Sequence, residues 1–281
     1  MRAFKAAFYM MAVLIIFSMQ PYLHTEGLKR LVPKMIQGKY AVGLDFGTTG
    51  ARSTVVEISS LKIVSEEHIE WTSMKSYSVS SYPCWQEALL KLLSKIPASQ
   101  KKELGRICVS GTSASVLMYD LAEKRVTRPP RMYNFNVACS SQPPAVFEAG
   151  TKAMEKIGKA APPGSPACAP TSSLAKLLSW HLENPLANTE CMMHQADFLA
   201  YTLLGGFTDD IENCDTRSYF DHQVAGKNHL RVQSDWHNTL KLGYDVDNLK
   251  YPVWLMNIML YNKIIPEMAL PQVREPGDGY G

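Results

Sequence analysis

The stretch that most limits how this chain can fold is Tyr40-Ala41-Val42-Gly43-Leu44-Asp45, an apolar run that ends in an acid. Phe46-Gly47-Thr48-Thr49-Gly50 follows at once, and then a second β-rich run, Ser53 to Ile58. Two such runs around a Gly-rich turn read as strand, tight turn, strand. A third, Lys62 to Trp71, extends the pair to an antiparallel meander. Trp85, Leu89 and Leu92 or Leu93 then recur at helical spacing, and Pro97 stops that helix. Arg106-Ile107-Cys108-Val109 reads as a buried strand leading into Ser110-Gly111-Thr112-Ser113. Strands and helices mixed in this order imply an α/β fold.

The remaining elements are read the same way. Val116–Tyr119 and Arg125-Val126 flank a turn and form a hairpin, Val146 to Ile157 is an amphipathic helix, and the proline-rich stretch from Ala160 to Pro170 is a loop. Ser172 or Ser173 caps a helix running to His181, because a hydroxyl there satisfies free N–H groups of the first turn. Ala196 to Leu204 is a helix ended by Gly205-Gly206. Gly206 to Gln233 lacks periodicity and reads as an insertion or long loop, periodicity returns weakly from Trp236 to Leu260, and Pro266 to Gly281 reads as a linker. Trp71, Trp85 and Trp180 are assigned to the core.

Composition sets bounds on function. Lys and Arg exceed Asp and Glu by only +3 and never cluster beyond pairs such as Lys101-Lys102, which argues against a nucleic-acid partner. The 6 cysteines include no CxxC, the histidines no HExxH, and no structural metal is expected. Arg2 and Lys5 precede a charge-free apolar stretch, Ala6 to Met19, which fits a secretory signal, an organelle import segment or residues ahead of a cytosolic start. Residues 1–38 are therefore set outside the fold, and plastid or cytoplasmic location is expected, with secretion as the minor alternative.

Three places can carry chemistry. The turn after Asp45 can bring backbone N–H groups close to a phosphate, with Thr48, Thr49 and Arg52 beside it, although a plain hairpin would use the same glycines. Its spacing matches neither a dinucleotide-binding fingerprint nor a P-loop. Ser110-Gly111-Thr112-Ser113 follows a strand, where loops line ligand crevices, or is simply a capped turn. Asp235, in Ser234-Asp235-Trp236-His237-Asn238, is either a general base in a cleft or a helix cap.

Taken in order, Gly43-Leu44-Asp45-Phe46-Gly47-Thr48-Thr49-Gly50, Gly111-Thr112-Ser113, Tyr133-Asn134, Thr171 to Leu177, Ala196-Asp197-Phe198-Leu199 and Ser234 to Asp245 resemble the FGGY carbohydrate kinases. The last string is similar to the ribulose and xylulose kinase-like branch of photosynthetic organisms. This resemblance implies an actin-like, ribonuclease-H-like domain over residues 39–265, with 206–233 inserted and 266–281 as the hinge to an absent second domain. It also implies transfer of the γ-phosphoryl group of ATP, with Mg2+, to a hydroxyl of a small ketose. By the same resemblance Asp45 would help position the magnesium nucleotide and the sugar, with Gly47, Thr48, Thr49, Gly50 and Arg52 at the phosphates. Ser113 would contact the sugar and Asp235 would be the general base. Thr208-Asp209-Asp210-Ile211-Glu212-Asn213 is similar to another form of the base motif, which makes Asp209 a competitor. A sugar-binding or regulatory fragment is the alternative function. The face that a second domain would cover leads us to expect a homodimer or a complex.

Overall fold

The computed structural model describes residues 38–74, 78, 80–204 and 232–276. The readings that concern the N-terminal apolar stretch, Asp209, most of the 206–233 segment and residues 277–281 lie outside the described residues.

The opening meander is present. Strand β1 (Tyr40–Phe46) pairs antiparallel with β2 (Gly50–Glu57), which pairs antiparallel with β3 (Lys62–Glu70). Alternation along β1 places Val42, Leu44 and Phe46 in the core and Gly43 and Asp45 on the opposite face. Helix α1 (Tyr82–Lys95) covers the apolar face with Cys84, Trp85, Ala88, Leu89 and Leu92, all fully buried. Its chain turns at Ile96 and Pro97, where a short helix α2 (Ala98–Lys101) begins.

Strand β4 (Leu104–Gly111) then docks parallel to β1 on the side away from β2, giving the order β3-β2-β1-β4. It is not the buried strand expected from its sequence, since Ile107 is 44% exposed. The reason is position: β4 is the outer strand of its sheet, with β1 as its one pairing neighbour there.

The hairpin of β5 (Val116–Asp120) and β6 (Arg125–Arg131) is joined by β7 (Glu190–His194) in a second antiparallel sheet, ordered β6-β5-β7. Helix α3 (Pro144–Ala160) packs on α4 (Ser173–Glu183), and α5 (Gln195–Leu203) leaves β7 directly. Ser172, not Ser173, is the cap of α4, its hydroxyl accepting the Ala175 N–H at 3.0 Å. Trp85 of α1 and Phe198 of α5 meet edge to face, 6.5 Å between ring centres, so the two helices close one core over the first sheet.

After residue 231 the chain forms β8 (Gln233–Asp235), α6 (Trp236–Leu240), α7 (Val253–Tyr261), α8 (Pro266–Ala269) and β9 (Gln272–Arg274). Val232 and Gln233, the last two residues of the expected insertion, belong to this folded part: Val232 is buried and its carbonyl accepts the Gln272 N–H at 2.8 Å. The start of the expected linker is likewise structured, because β9 pairs in parallel with β8, Asp235 opposite Arg274. Leu255, Ile258 and Met259 of α7 complete a second core with Ile157 of α3 and Leu174, Leu177 and Leu178 of α4.

Two glycines of α3 separate a packing role from a mere absence of side chain. A Cβ on Gly150 would lie 1.9 Å from the Val137 carbonyl oxygen, whereas one on Gly158 would meet nothing within 4 Å. Gly150→Ala is therefore expected to destabilise the protein by about 1–3 kcal/mol through forced backbone movement. Gly158→Ala is expected to stabilise it by about 0.5–1 kcal/mol through helix propensity. Urea unfolding of the two variants checks both signs.

Candidate functional site

The β1–β2 turn is tight. Gly47 N–H donates to Gly50 O at 2.9 Å, and the Trp71 indole Nε1 donates to Gly47 O at 3.0 Å. Trp71 N–H donates to Thr49 O at 3.2 Å, so one residue at the end of β3 holds the turn from two sides. Gly50 is required here, because a Cβ would sit 2.3 Å from Ile69 O. Thr48 and Thr49 stand exposed at the tip, and no hydrogen bond among the described residues uses either backbone N–H. The Gly47 amide is already spent on the turn, so an anion here would be met by the amides and hydroxyls of the two threonines.

Asp45 and Arg52 are direct cross-strand partners, so both side chains project from the same face of the sheet. Burial pushes the Asp45 carboxyl up from its ordinary range, and the Arg52 guanidinium opposes this. On the other side, Asp45 lies opposite Ser110, and Gly43 opposite Cys108, in the parallel register of β1 and β4. The Cys108 thiol is pushed up by burial and, secondarily, by the charge of Asp235.

Asp235 also has a structural duty. Its Oδ1 accepts the Asn238 N–H at 2.8 Å, and its side chain caps α6, so the cap reading of this residue holds. Oδ2 has a single longer contact, 3.4 Å from Asn238 Nδ2, and the residue is only part-buried. One oxygen caps while the other keeps lone pairs to spare.

Ser113 is exposed in the turn that links β4 to β5. Its neighbours are held firmly: Thr112 N–H and Oγ1 both donate to Gln195 Oε1 at 2.9 Å, and Ala114 takes a left-handed φ of 66°. A non-glycine residue there costs about 1–2 kcal/mol and must be held in place by its surroundings. Lys176 contributes to this. Its Nζ donates to Ala114 O at 2.6 Å and to Met132 O at 2.7 Å from a fully buried position on α4.

Lys176, His194 and Gln195 were not singled out from the sequence. A lysine within Leu174-Ala175-Lys176-Leu177-Leu178 was the available signal, since such a side chain can be buried only if its ammonium finds acceptors. Gln195 and His194 left no comparable trace.

Among the described residues no group of three or more His, Cys, Asp or Glu side chains gathers to hold a metal ion. A divalent cation at the turn would have Asp45 as its protein carboxylate and depend on phosphate oxygens and water for the rest, which suits Mg2+.

No protein-family model matches the sequence. Solved structures are similar to it at low identity. A xylulose kinase from Bifidobacterium adolescentis matches with a TM-score of 0.54 at 13% identity, over 84% of this chain and 47% of its own. A gluconate kinase from Lactobacillus acidophilus matches at 0.53 and 16%, over 84% and 42%. A carbohydrate kinase from Novosphingobium aromaticivorans matches at 0.56 and 14%, over 88% and 44%. The fold is the mixed α/β fold of the sugar kinases, with its actin-like, ribonuclease-H-like architecture, and the chain spans less than half the length of these structures.

The buried ammonium gives a pH signature. Burial, aided by Lys241 and Arg131, pushes Lys176 down to about 7. The unfolded chain keeps this proton up to the ordinary lysine range, so above pH 7 it binds more protons than the folded one. The contribution of this group to stability must then rise with pH across that window, by up to about 1.4 kcal/mol per pH unit. The difference in unfolding free energy between wild type and Lys176→Met is expected to shift in favour of wild type from pH 7 to 9, as measured by urea titration at each pH.

Proposed function

We propose that this chain is part of an ATP-dependent carbohydrate kinase acting on a small ketose of the ribulose or xylulose type. The observation that carries the reading is the placement of Asp45 and the exposed Thr48-Thr49 tip at the carboxyl end of β1, in a fold of the sugar-kinase type. The resemblance of the ordered motifs adds the sugar class and the kinship with the ribulose and xylulose kinase-like branch. In this reading Thr48 and Thr49 meet the phosphates, Asp45 with Arg52 orients the nucleotide end, and the Ser113 hydroxyl bonds to the sugar. Magnesium ATP supplies the phosphoryl group. Asp235 takes the proton from the attacking hydroxyl through the carboxylate oxygen that the α6 cap leaves free. Transfer of this kind is catalysed mainly by positioning and charge neutralisation, with one carboxylate orienting the nucleophile.

The double duty of Asp235 decides which variant is informative. Asp235→Asn retains a side-chain oxygen for the Asn238 N–H and is expected to keep the unfolding temperature while lowering phosphorylation about 10²–10⁴-fold. Asp235→Ala is expected to lose the same activity and, in addition, about 1 kcal/mol of stability with the cap. Asp209→Ala should be close to neutral. Loss of activity in Asp209→Ala with retention in Asp235→Asn would transfer the base role to Asp209. Thermal shifts measured separately with D-ribulose, D-xylulose and magnesium ATP test the wider reading. Stabilisation by a ketose without any nucleotide effect would instead favour a sugar-binding or regulatory protein.

A further inference from the structure

Two consecutive residues at the junction of β7 and α5, His194 and Gln195, have no part in the chemistry described so far. Both are buried, at 0% and 1% exposure. Gln195 reaches toward the Ser113 turn. Its Oε1 accepts both the N–H and the hydroxyl of Thr112 at 2.9 Å, and its own N–H donates to Ser115 O at 2.9 Å. The residues on both sides of the Ser113-Ala114 pair are thus tied to one side chain and its backbone.

His194 reaches the other way. Its Nδ1 lies 2.9 Å from Asp197 Oδ2 and 3.3 Å from Ser234 Oγ, and its Nε2 lies 3.0 Å from Ser173 Oγ. The carboxylate acceptor assigns the ring proton to Nδ1, whose N–H the more distant Ser234 hydroxyl oxygen shares as a second acceptor, leaving Nε2 to accept the Ser173 hydroxyl. Ser173, His194 and Asp197 share the connectivity of a hydrolase triad, but they are 0%, 0% and 4% exposed, so no substrate reaches them. What the ring joins is structural: α4 through Ser173, α5 through Asp197, and β8 through Ser234, the residue before Asp235.

We propose that His194 and Gln195 form a positioning unit that sets the separation between Ser113 and Asp235, and with it the size of sugar that fits between them. This rests on the reading above, in which the sugar meets those two residues. Neighbouring Cα atoms are fixed at about 3.8 Å. Two buried side chains gripping Thr112 and Ser234 from adjacent backbone positions therefore leave the two substrate-facing residues little independent movement. Productive groups must be held to within about 0.5 Å, and locked supporting hydrogen bonds are the usual means.

The test uses the full chain and site-resolved amide hydrogen exchange. Gln195→Met keeps the side-chain length but removes the acceptor, and Gln195→Glu restores it. His194→Phe removes all three ring contacts, and His194→Asn keeps an amide near the Nδ1 position. Exchange at Thr112 is expected to quicken at least about tenfold in Gln195→Met and to return toward wild type in Gln195→Glu. The Asn238 amide, which Asp235 holds, should behave likewise in His194→Phe and His194→Asn. Affinity for D-xylulose or D-ribulose, by calorimetry, should fall about tenfold in Gln195→Met and recover in Gln195→Glu. The core amide of Leu89 should be unchanged throughout. Unchanged exchange at Thr112 and Asn238, or equal quickening at Leu89, overturns the proposal. If Gln195→Met does not fold, the His194 pair decides at Asn238. Failure of wild type to bind any ketopentose sinks the sugar reading instead, and the exchange results still decide whether the two residues position these loops.

Discussion

The parallel pairing of β1 with β4 is the constraint on which the rest of this structure depends. A hairpin alone would present the Asp45 turn at the end of an isolated ribbon. Adding β4 in parallel aligns two carboxyl ends, so that Asp45 stands beside Ser110 and the turns carrying Thr48 and Ser113 open at the same edge. Crevices at such strand ends are where open α/β sheets place their ligands. The opposite face of the sheet carries Val42, Leu44 and Phe46 into one core with residues of α1 and α5. Each such side chain contributes about 1.5–3 kcal/mol of transfer free energy when fully buried. Apolar burial on one face thereby fixes polar geometry on the other.

A second layer of support is polar and buried. Lys176 holds the carbonyls of Ala114 and Met132, Arg131 lies over the rings of Phe135 and Trp180 while bonding both oxygens of Glu183, and His194 links three elements. Burying such groups is costly unless they are satisfied, and their net effect on stability is often small. Their value here is directional. Apolar contacts would tolerate sliding of the Ser113 turn by a fraction of an ångström, whereas the hydrogen bonds to Thr112 and Ala114 specify its position and hold Ala114 in a conformation that it would otherwise avoid.

Asp235 shows how one side chain can serve local structure and still be open to chemistry. Capping α6 directs one oxygen to the Asn238 N–H and in doing so orients the other. Of the two readings open in the sequence, cap and base, the cap is present, and it does not exclude the proposed base role. The charge of Asp235 also adds to the upward push on the Cys108 thiol, although the two positions are more than a hundred residues apart in the chain.

The sequence by itself determined the local elements and the chemistry-bearing turns. Alternation in Tyr40–Asp45, the glycines at 47 and 50, the helical spacing of Trp85 and Leu89 and the Ser172 hydroxyl all act within a few residues, so their outcome is written in short windows. The order of motifs also carried the fold class. Only the tertiary structure decided the rest. Ile107 resembles a core residue until β4 is found at the edge of its sheet, and Pro266–Arg274 resembles a linker until β9 pairs with β8. Lys176 and Gln195 are polar residues with no local partner to betray them, and His194 has only Asp197 nearby, because the carbonyls and hydroxyls that they satisfy come from distant segments. Whether a polar side chain is solvated or buried depends on what the folded chain brings to it, and that is a property of the assembled core, not of its neighbours in sequence.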